Sequence, residues 1–67
     1  MNKTQFILYC KQVANSIKSN NIDRLFDSYY LNLDAVKKTI AALGGLDAVK
    51  SFVAANISKT ENELFYL

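Results

Sequence analysis

Histidine, tryptophan and proline are absent from this 67-residue chain, and cysteine occurs only once. A single cysteine excludes a disulfide within the chain, and without histidine no Cys/His zinc site can form. The lack of histidine also removes the usual general base, and with it the Ser-His and Cys-His nucleophile pairs. We therefore expect a protein that is not an enzyme and that holds no metal or other cofactor.

Long apolar runs are also missing. No run approaches the roughly 20 apolar residues that cross a membrane. The apolar segment from Phe6 to Cys10 is shorter than the core of a signal peptide, which has about 7–15 residues. Glycine occurs only as Gly44 and Gly45, which lack the spacing of a phosphate-binding loop. These features predict a cytoplasmic protein that does not enter a membrane.

Apolar residues are abundant for a chain of this size. Hydrophobic residues make up 51% of the sequence and include four Phe and four Tyr. A chain of this length buries only about 60% of the surface that its unfolded form exposes, so small domains usually need a disulfide, a metal or a partner chain. The first two are excluded here. We therefore expect a second chain to cover part of the apolar surface, most simply in a homodimer.

Residues 33–57 contain the same short sequence twice, since Leu-Asp-Ala-Val-Lys begins at Leu33 and again at Leu46. Apolar residues recur at three- and four-residue spacing in each copy, which predicts one amphipathic helix per copy. In one continuous helix, at about 100° per residue, the two apolar stripes would lie about 220° apart. Two glycines would also cost a helix interior about 1 kcal/mol each. We therefore predict two helices that meet at Gly44 and Gly45 and face one core.

The members of the two copies have matching predicted roles. The apolar stripes consist of Leu33, Val36, Ile40 and Leu43 in the first copy, and of Leu46, Val49, Phe52, Val53 and Ile57 in the second. Asn32 is the predicted N-cap of the first copy. Within each copy an aspartate precedes lysine by one helical turn, so we expect Asp47 to face Lys50.

Two helices are predicted before the repeat. The first covers residues 4–19, with Thr4 as N-cap and its end at residues 19–21. The second covers residues 22–30, with Asn21 as N-cap and all its apolar residues on one face.

After the repeat, a short last helix is predicted from about Glu61, since Ser58 and Thr60 each precede a glutamate by three residues, as in a capping box. Residues 64–67 that follow are all apolar. The predicted fold is one all-α domain, residues 1–67, with four helices and a short C-terminal fifth turn.

Candidate chemical groups are few. Cys10 lies in the apolar stripe of the first helix, so we interpret it as a small buried hydrophobe. Asp23 and Asp27 are one helical turn apart, but no other ligand converges on them, so they are expected on a solvated face.

The segment from Ala42 to Val49, with its Gly-Gly-x-x-Ala-aliphatic pattern, resembles the opening of helix-turn-helix modules in phage Cro-like repressors. This resemblance implies a DNA-reading helix at residues 60–67, or else in the second copy of the repeat, whose first turn holds Leu46 and Asp47. The helix at residues 60–67 departs from the family pattern, because its first turn carries Glu61 and Glu63 where phosphates would lie. The net charge of +2 adds little support. Nucleic-acid binding is therefore the alternative function, and its candidate residues are Lys37, Lys38, Lys50 and Lys59.

The favoured function is protein binding. Tyrosine suits interfaces because it combines a large apolar ring with a polar tip. The residues that are hardest to bury in so small a core are Tyr29, Tyr30, Phe65 and Tyr66. We expect a small regulator, inhibitor or adaptor that binds a protein partner through them. The abundance of lysine and asparagine is typical of AT-rich genes and favours a bacterial or phage source.

Overall fold

Every regular element in residues 1–66, the part of the chain that this computed structural model describes, is helical. Helix α1 spans Lys3–Ile17, α2 Ile22–Asp27, α3 Asp34–Ala42, α4 Leu46–Asn56 and α5 Glu61–Leu64, and a 3-10 turn, Tyr29–Leu31, joins α2 to α3. The predicted all-α class, the two tandem helices and the short C-terminal turn are confirmed. Leu67, the last residue of the predicted apolar C-terminal segment, lies outside the described residues.

Both ends of α1 differ from the prediction. Asn2, and not Thr4, is the N-cap, because its side chain accepts the Gln5 backbone N–H at 2.8 Å and the Gln5 side chain accepts the Asn2 N–H at 3.0 Å. The helix ends at Lys18, which has left-handed dihedrals of φ 56° and ψ 41°, and so it stops before residues 19–21. The two reciprocal hydrogen bonds of the capping box explain why Asn2 is the cap.

Helix α2 begins as predicted and ends earlier. The Asn21 side chain is the N-cap, but the helix stops at Asp27 because Ser28 is extended, with φ −69° and ψ 155°. Asn32, predicted as the N-cap of α3, instead donates its amide to the carbonyls of Phe26 at 3.0 Å and Ser28 at 2.7 Å. Its side chain therefore satisfies carbonyls that the end of α2 leaves free, and α3 begins without a side-chain cap.

The corner between α3 and α4 depends on positive dihedrals at both glycines. Gly44 has φ +120° and Gly45 has φ +94°. The Gly45 N–H donates to the Ile40 carbonyl at 3.0 Å and so closes the end of α3. Two successive positive φ angles reverse the chain, and α3 and α4 then pack against each other.

The core surrounds α1, which packs against α2, α4 and α5, while α3 packs against α4 and the 3-10 turn. The buried apolar residues are Phe6, Ile7, Cys10, Val13, Ala14, Leu25, Phe26, Leu31, Val36, Ile40, Val49, Val53 and Leu64. Of the nine predicted stripe residues of the repeat, four are buried, four are half-buried, and Leu46 is 51% exposed. It is the first residue of α4, directly after the glycine corner, where its side chain borders an open cleft.

Helix α5 confirms one of the two predicted capping boxes. The Thr60 hydroxyl accepts the Glu63 backbone N–H at 3.3 Å, and the Glu63 carboxylate accepts the Thr60 N–H at 3.3 Å. The pattern that begins at Ser58 is not used, since Thr60 is the N-cap. This short helix places Leu64 in the core with no exposed surface.

We predict that Gly45→Ala destabilises the fold by about 1–3 kcal/mol, because its φ of +94° with ψ of 170° belongs to a region that is essentially restricted to glycine. A Cβ at this position would meet no atom within 4 Å, so the loss would report backbone strain alone. Urea denaturation followed by circular dichroism measures it.

The matched control is Lys18→Gly, at the non-glycine residue with a positive φ within residues 1–66. It should leave the free energy of unfolding unchanged or raise it by up to about 1 kcal/mol. If Gly45→Ala is as stable as the parent chain, the corner does not depend on a positive φ.

Candidate functional site

Tyr29 and Tyr30, here named the tyrosine pair, stand on the 3-10 turn after α2. They are 74% and 44% exposed. Their rings meet edge to face, with centroids 5.7 Å apart and planes at 75°. The prediction that they extend the apolar face of α2 is wrong, because the helix ends before them and the turn directs them outward. The pair therefore offers aromatic surface to solvent.

The tyrosine pair is fixed to the body of the protein by a neighbouring side chain. The Tyr9 hydroxyl, from α1, donates a hydrogen bond to the Tyr30 carbonyl. Burial raises the pKa of Tyr9, with smaller contributions from the charges of Cys10 and Tyr30. The hydroxyl therefore stays protonated, and remains a donor, at neutral and mildly alkaline pH. This bond holds the backbone of the pair against α1.

Phe65 and Tyr66, here named the aromatic tail, follow α5. They are 68% and 90% exposed, although Leu64 beside them is fully buried. The Thr4 hydroxyl in the first turn of α1 donates to the Leu64 carbonyl at 3.2 Å. The structure therefore answers how the C-terminal segment is held: Leu64 docks onto the core, and the next two side chains face solvent.

The four residues predicted for protein binding thus form two separate pairs. Within residues 1–66, no aromatic ring contact joins the tyrosine pair to the aromatic tail. Both pairs are attached to the same helix, since Tyr9 and Thr4 lie five residues apart on α1, about 7.5 Å along its axis. Helix α1 is therefore the common support of both exposed aromatic surfaces.

The four candidate nucleic-acid residues are not brought together as one group. Lys37 and Lys50 border the same cleft, whereas Lys38 and Lys59 do not. Lys50 does not face Asp47 as predicted: its ammonium lies 3.7 Å from the Asp23 carboxylate. Packing of α2 against α4 brings that aspartate to it. This is the single ion pair within the described residues.

The cleft lies where α2, the 3-10 turn and the glycine corner meet, and we name it the corner cleft. Its volume is about 420 Å³. Its apolar surface comes from Phe26, Leu31, Ile40 and Leu46, and its charged groups are Asp27, Lys37 and Lys50. The Lys50 ammonium lies 5.8 Å from the centre of the Phe26 ring.

Sequence reasoning missed the corner cleft. The apolar periodicity of each helix places Phe26 and Leu46 in a core, and periodicity alone does not tell which core residue lies at an open edge. The sequence held no signal for it, because Leu33 and Leu46 are the same residue at the same repeat position, yet Leu33 is half-buried and Leu46 is 51% exposed. The second copy therefore leaves uncovered a position that the first copy covers.

Cys10 lies in the core as predicted, with no exposed surface. Burial raises the pKa of its thiol to about 12. A thiol in this state is not the thiolate that nucleophilic catalysis or metal binding requires at neutral pH. Within residues 1–66, no three histidine, cysteine, aspartate or glutamate side chains cluster in a way that could hold a metal ion.

No family model, no curated protein and no solved structure matches this chain. Within the described residues, no helix combines the length and the apolar character that crossing a membrane requires.

We predict that Tyr9→Phe lowers the free energy of unfolding by about 0.5–1.5 kcal/mol, because it removes the hydrogen bond to the Tyr30 carbonyl and changes little else. Tyr66→Phe is the control, and a change within about 0.5 kcal/mol is expected because this side chain is 90% exposed. Thermal and urea unfolding compare the two variants. Equal stability would show that the Tyr9 bond does not hold the tyrosine pair.

We also predict that iodoacetamide alkylates Cys10 in the folded chain at least about 100-fold more slowly than in urea at pH 8, because the buried thiol is almost fully protonated. Mass spectrometry at timed intervals measures both rates.

Since the folded pKa is raised, the thiol favours folding at low pH, and this contribution falls as the pH rises toward 12. The Cys10→Ala variant should lack this pH-dependent contribution to stability. Equal alkylation rates in the folded chain and in urea would contradict the burial of Cys10.

Proposed function

We propose that this chain is a small non-enzymatic regulator, inhibitor or adaptor that binds another protein through its exposed aromatic residues. The observation that carries the proposal is the exposure of Tyr29, Tyr30, Phe65 and Tyr66 on a chain whose core is already complete without them. Four exposed aromatic side chains are a large apolar area for so small a protein, and a bound protein partner would cover it.

The chemistry of these residues fits a binding surface. A fully covered aromatic side chain buries about 150–250 Å², which corresponds to several kcal/mol at about 25 cal/mol per Å². The tyrosine pair is also held in place by the Tyr9 hydrogen bond, so less conformational freedom remains to be lost on binding. Few other exposed side chains combine so large an apolar area with a hydrogen bond that holds their backbone in place.

The finer features of the proposal rest on other residues. We propose that the protein works in the cytoplasm, where a chain with one buried thiol is stable, and the abundance of lysine and asparagine favours a bacterium or a phage as its source. We also propose that the chain forms a homodimer, since a core of this size leaves apolar side chains uncovered.

Nucleic-acid binding is the second candidate, and one observation favours it. Lys37 and Lys50 border one cleft, at the corner that resembles a helix-turn-helix opening. Asp23 lies 3.7 Å from the Lys50 ammonium and Asp27 borders the same cleft, so the local excess of positive charge is small. Nucleic-acid affinity would rest on phosphate contacts and would fall steeply with added salt.

We predict that the double variant Tyr29→Ser/Tyr30→Ser loses its protein partner. Tagged parent and variant chains are used to capture proteins from an extract of the source organism, with and without nuclease, and the captured proteins are quantified by mass spectrometry. A partner enriched by the parent chain should fall at least about tenfold with the variant, since central aromatic residues carry most interface energy.

The matched control is Lys37→Gln/Lys38→Gln, which changes exposed lysines and keeps every aromatic residue. It should retain the partner, and nuclease should not remove it. If nuclease or the lysine variant abolishes capture, the second candidate replaces the first. If all three chains capture the same proteins in the same amounts, the tyrosine pair has no binding role.

A further inference from the structure

The corner cleft has an apolar surface that no described residue of the chain covers. Leu46 at its edge is 51% exposed, whereas Leu33, its counterpart in the first copy of the repeat, is half-buried. Phe26 and Leu31 line the cleft but are only 6% and 2% exposed, so Leu46 supplies most of its accessible apolar surface. The volume of about 420 Å³ lies within the range of about 300–1,000 Å³ that is usual for binding clefts. The cleft can therefore accept bulky apolar side chains.

The charge at the corner cleft favours an acidic occupant. Lys37 and Lys50 border it together with Asp27, and Asp23 pairs with Lys50, so the favourable charge for an acidic occupant comes from Lys37 alone. Lys37 has no ion-pair partner among residues 1–66, since the single pair there joins Lys50 to Asp23. An occupant with aromatic side chains beside carboxylates would match both the apolar surface and Lys37.

The chain itself contains such a segment. Glu61 and Glu63 in the first turn of α5 are exposed and precede the exposed Phe65 and Tyr66. Neither glutamate forms an ion pair within the described residues. The exposure of the aromatic tail, 68% and 90%, shows that it does not fill the corner cleft of its own chain. The hydrogen bond from Thr4 to the Leu64 carbonyl also holds α5 against α1.

We propose that the corner cleft receives the aromatic tail of a second copy of this chain, and that two copies exchange tails about a two-fold axis. Phe65 and Tyr66 of each copy contact Leu46 of the other, and Glu61, whose carboxylate is not engaged in the α5 cap, approaches Lys37. Two-fold exchange satisfies both clefts and both tails at once and closes the assembly. This inference rests on the proposed protein-binding role of the aromatic residues and assigns the two pairs different roles. The aromatic tail serves self-association, and the tyrosine pair stays free for the partner.

The area is sufficient for a reversible dimer. If they are completely covered, four partly exposed aromatic side chains and the two cleft surfaces remove at most about 1,000 Å² from water. This upper limit only reaches the about 1,000 Å² of a specific interface and lies well below the about 1,600 Å² of a typical stable one, as expected for a weak dimer. The dimer should therefore form at micromolar to millimolar concentration.

Sedimentation velocity over about 10 µM to 1 mM tests the proposal with the full chain. The parent chain should pass from monomer to dimer, and Phe65→Ser/Tyr66→Ser should raise the dissociation constant at least about tenfold. Leu46→Glu should have the same effect, because it adds a carboxylate where the acidic segment docks. An acidic residue in the first turn of α4 suits the helix dipole, so this variant should keep its fold.

Two matched controls keep these results specific. Ala48→Glu adds the same charge in the same helical turn, at an exposed residue outside the cleft, and should leave the dimer unchanged. Tyr29→Ser/Tyr30→Ser removes two exposed aromatic rings of the other pair and should also leave it unchanged. Circular dichroism verifies that each variant is folded before its association is measured.

A mixing experiment then tests the docking itself. A ¹⁵N-labelled chain with Phe65→Ser/Tyr66→Ser keeps its cleft, and an unlabelled Leu46→Glu chain keeps its tail. Titration of the second into the first should shift the amide signals of Lys37, Gly45 and Leu46 in the labelled chain, because one tail–cleft contact remains possible. Titration with a chain that carries both changes should not.

Three results would overturn the inference. These are a parent chain that stays monomeric at 1 mM, a dimer lost only with the tyrosine-pair variant, and shifts confined to residues outside the corner cleft. A monomeric chain that still captures its partner through the tyrosine pair would leave the proposed function standing. A chain that forms the tail-dependent dimer but captures no partner would remove the regulator hypothesis and keep the dimer.

Discussion

The reversal at Gly44 and Gly45 is the constraint on which the rest of this structure depends. A helix that continued through these residues would turn the two copies of the repeat about 220° apart and leave one stripe in solvent. With positive φ angles at both residues, the chain turns back and Val36, Ile40, Val49 and Val53 all reach one core. The same sharp turn places the first residue of α4 at an edge, which is why Leu46 borders an open cleft.

Helix α1 has the complementary role of a support. Its buried face, with Phe6, Ile7 and Cys10, contacts three other helices, and two polar side chains at its border hold the exposed aromatic residues. Tyr9 bonds to the backbone of the tyrosine pair and Thr4 bonds to the residue before the aromatic tail. Defined hydrogen bonds from α1 therefore hold the backbone of the tyrosine pair and the residue before the aromatic tail.

Much of the fold could be predicted from the sequence, because the repeat sets the helical phase and the glycines allow only one kind of break. Caps were predictable where one position was clearly suited, as at Asn21 and Thr60. They were not predictable where two positions compete, since Asn2 gains a reciprocal bond from Gln5 that Thr4 lacks, and Asn32 is taken by carbonyls at the end of α2. The four aromatic candidates could be chosen by size alone. The corner cleft and the Lys50–Asp23 pair could not, because both arise from packing between elements that are distant in sequence.

The bond between Thr4 and Leu64 joins residues sixty positions apart and so closes almost the whole chain into a loop. Closing a loop of this length costs more chain entropy than any local contact in the molecule, while α5 offers only a short helix and one buried leucine in return. We therefore expect this closure to form late in folding and to open first in the native state, ahead of the α3–α4 corner. A molecule that binds the end of α5 only while Leu64 is docked would stabilise the folded chain. Binding at this surface and the folding equilibrium are then thermodynamically linked.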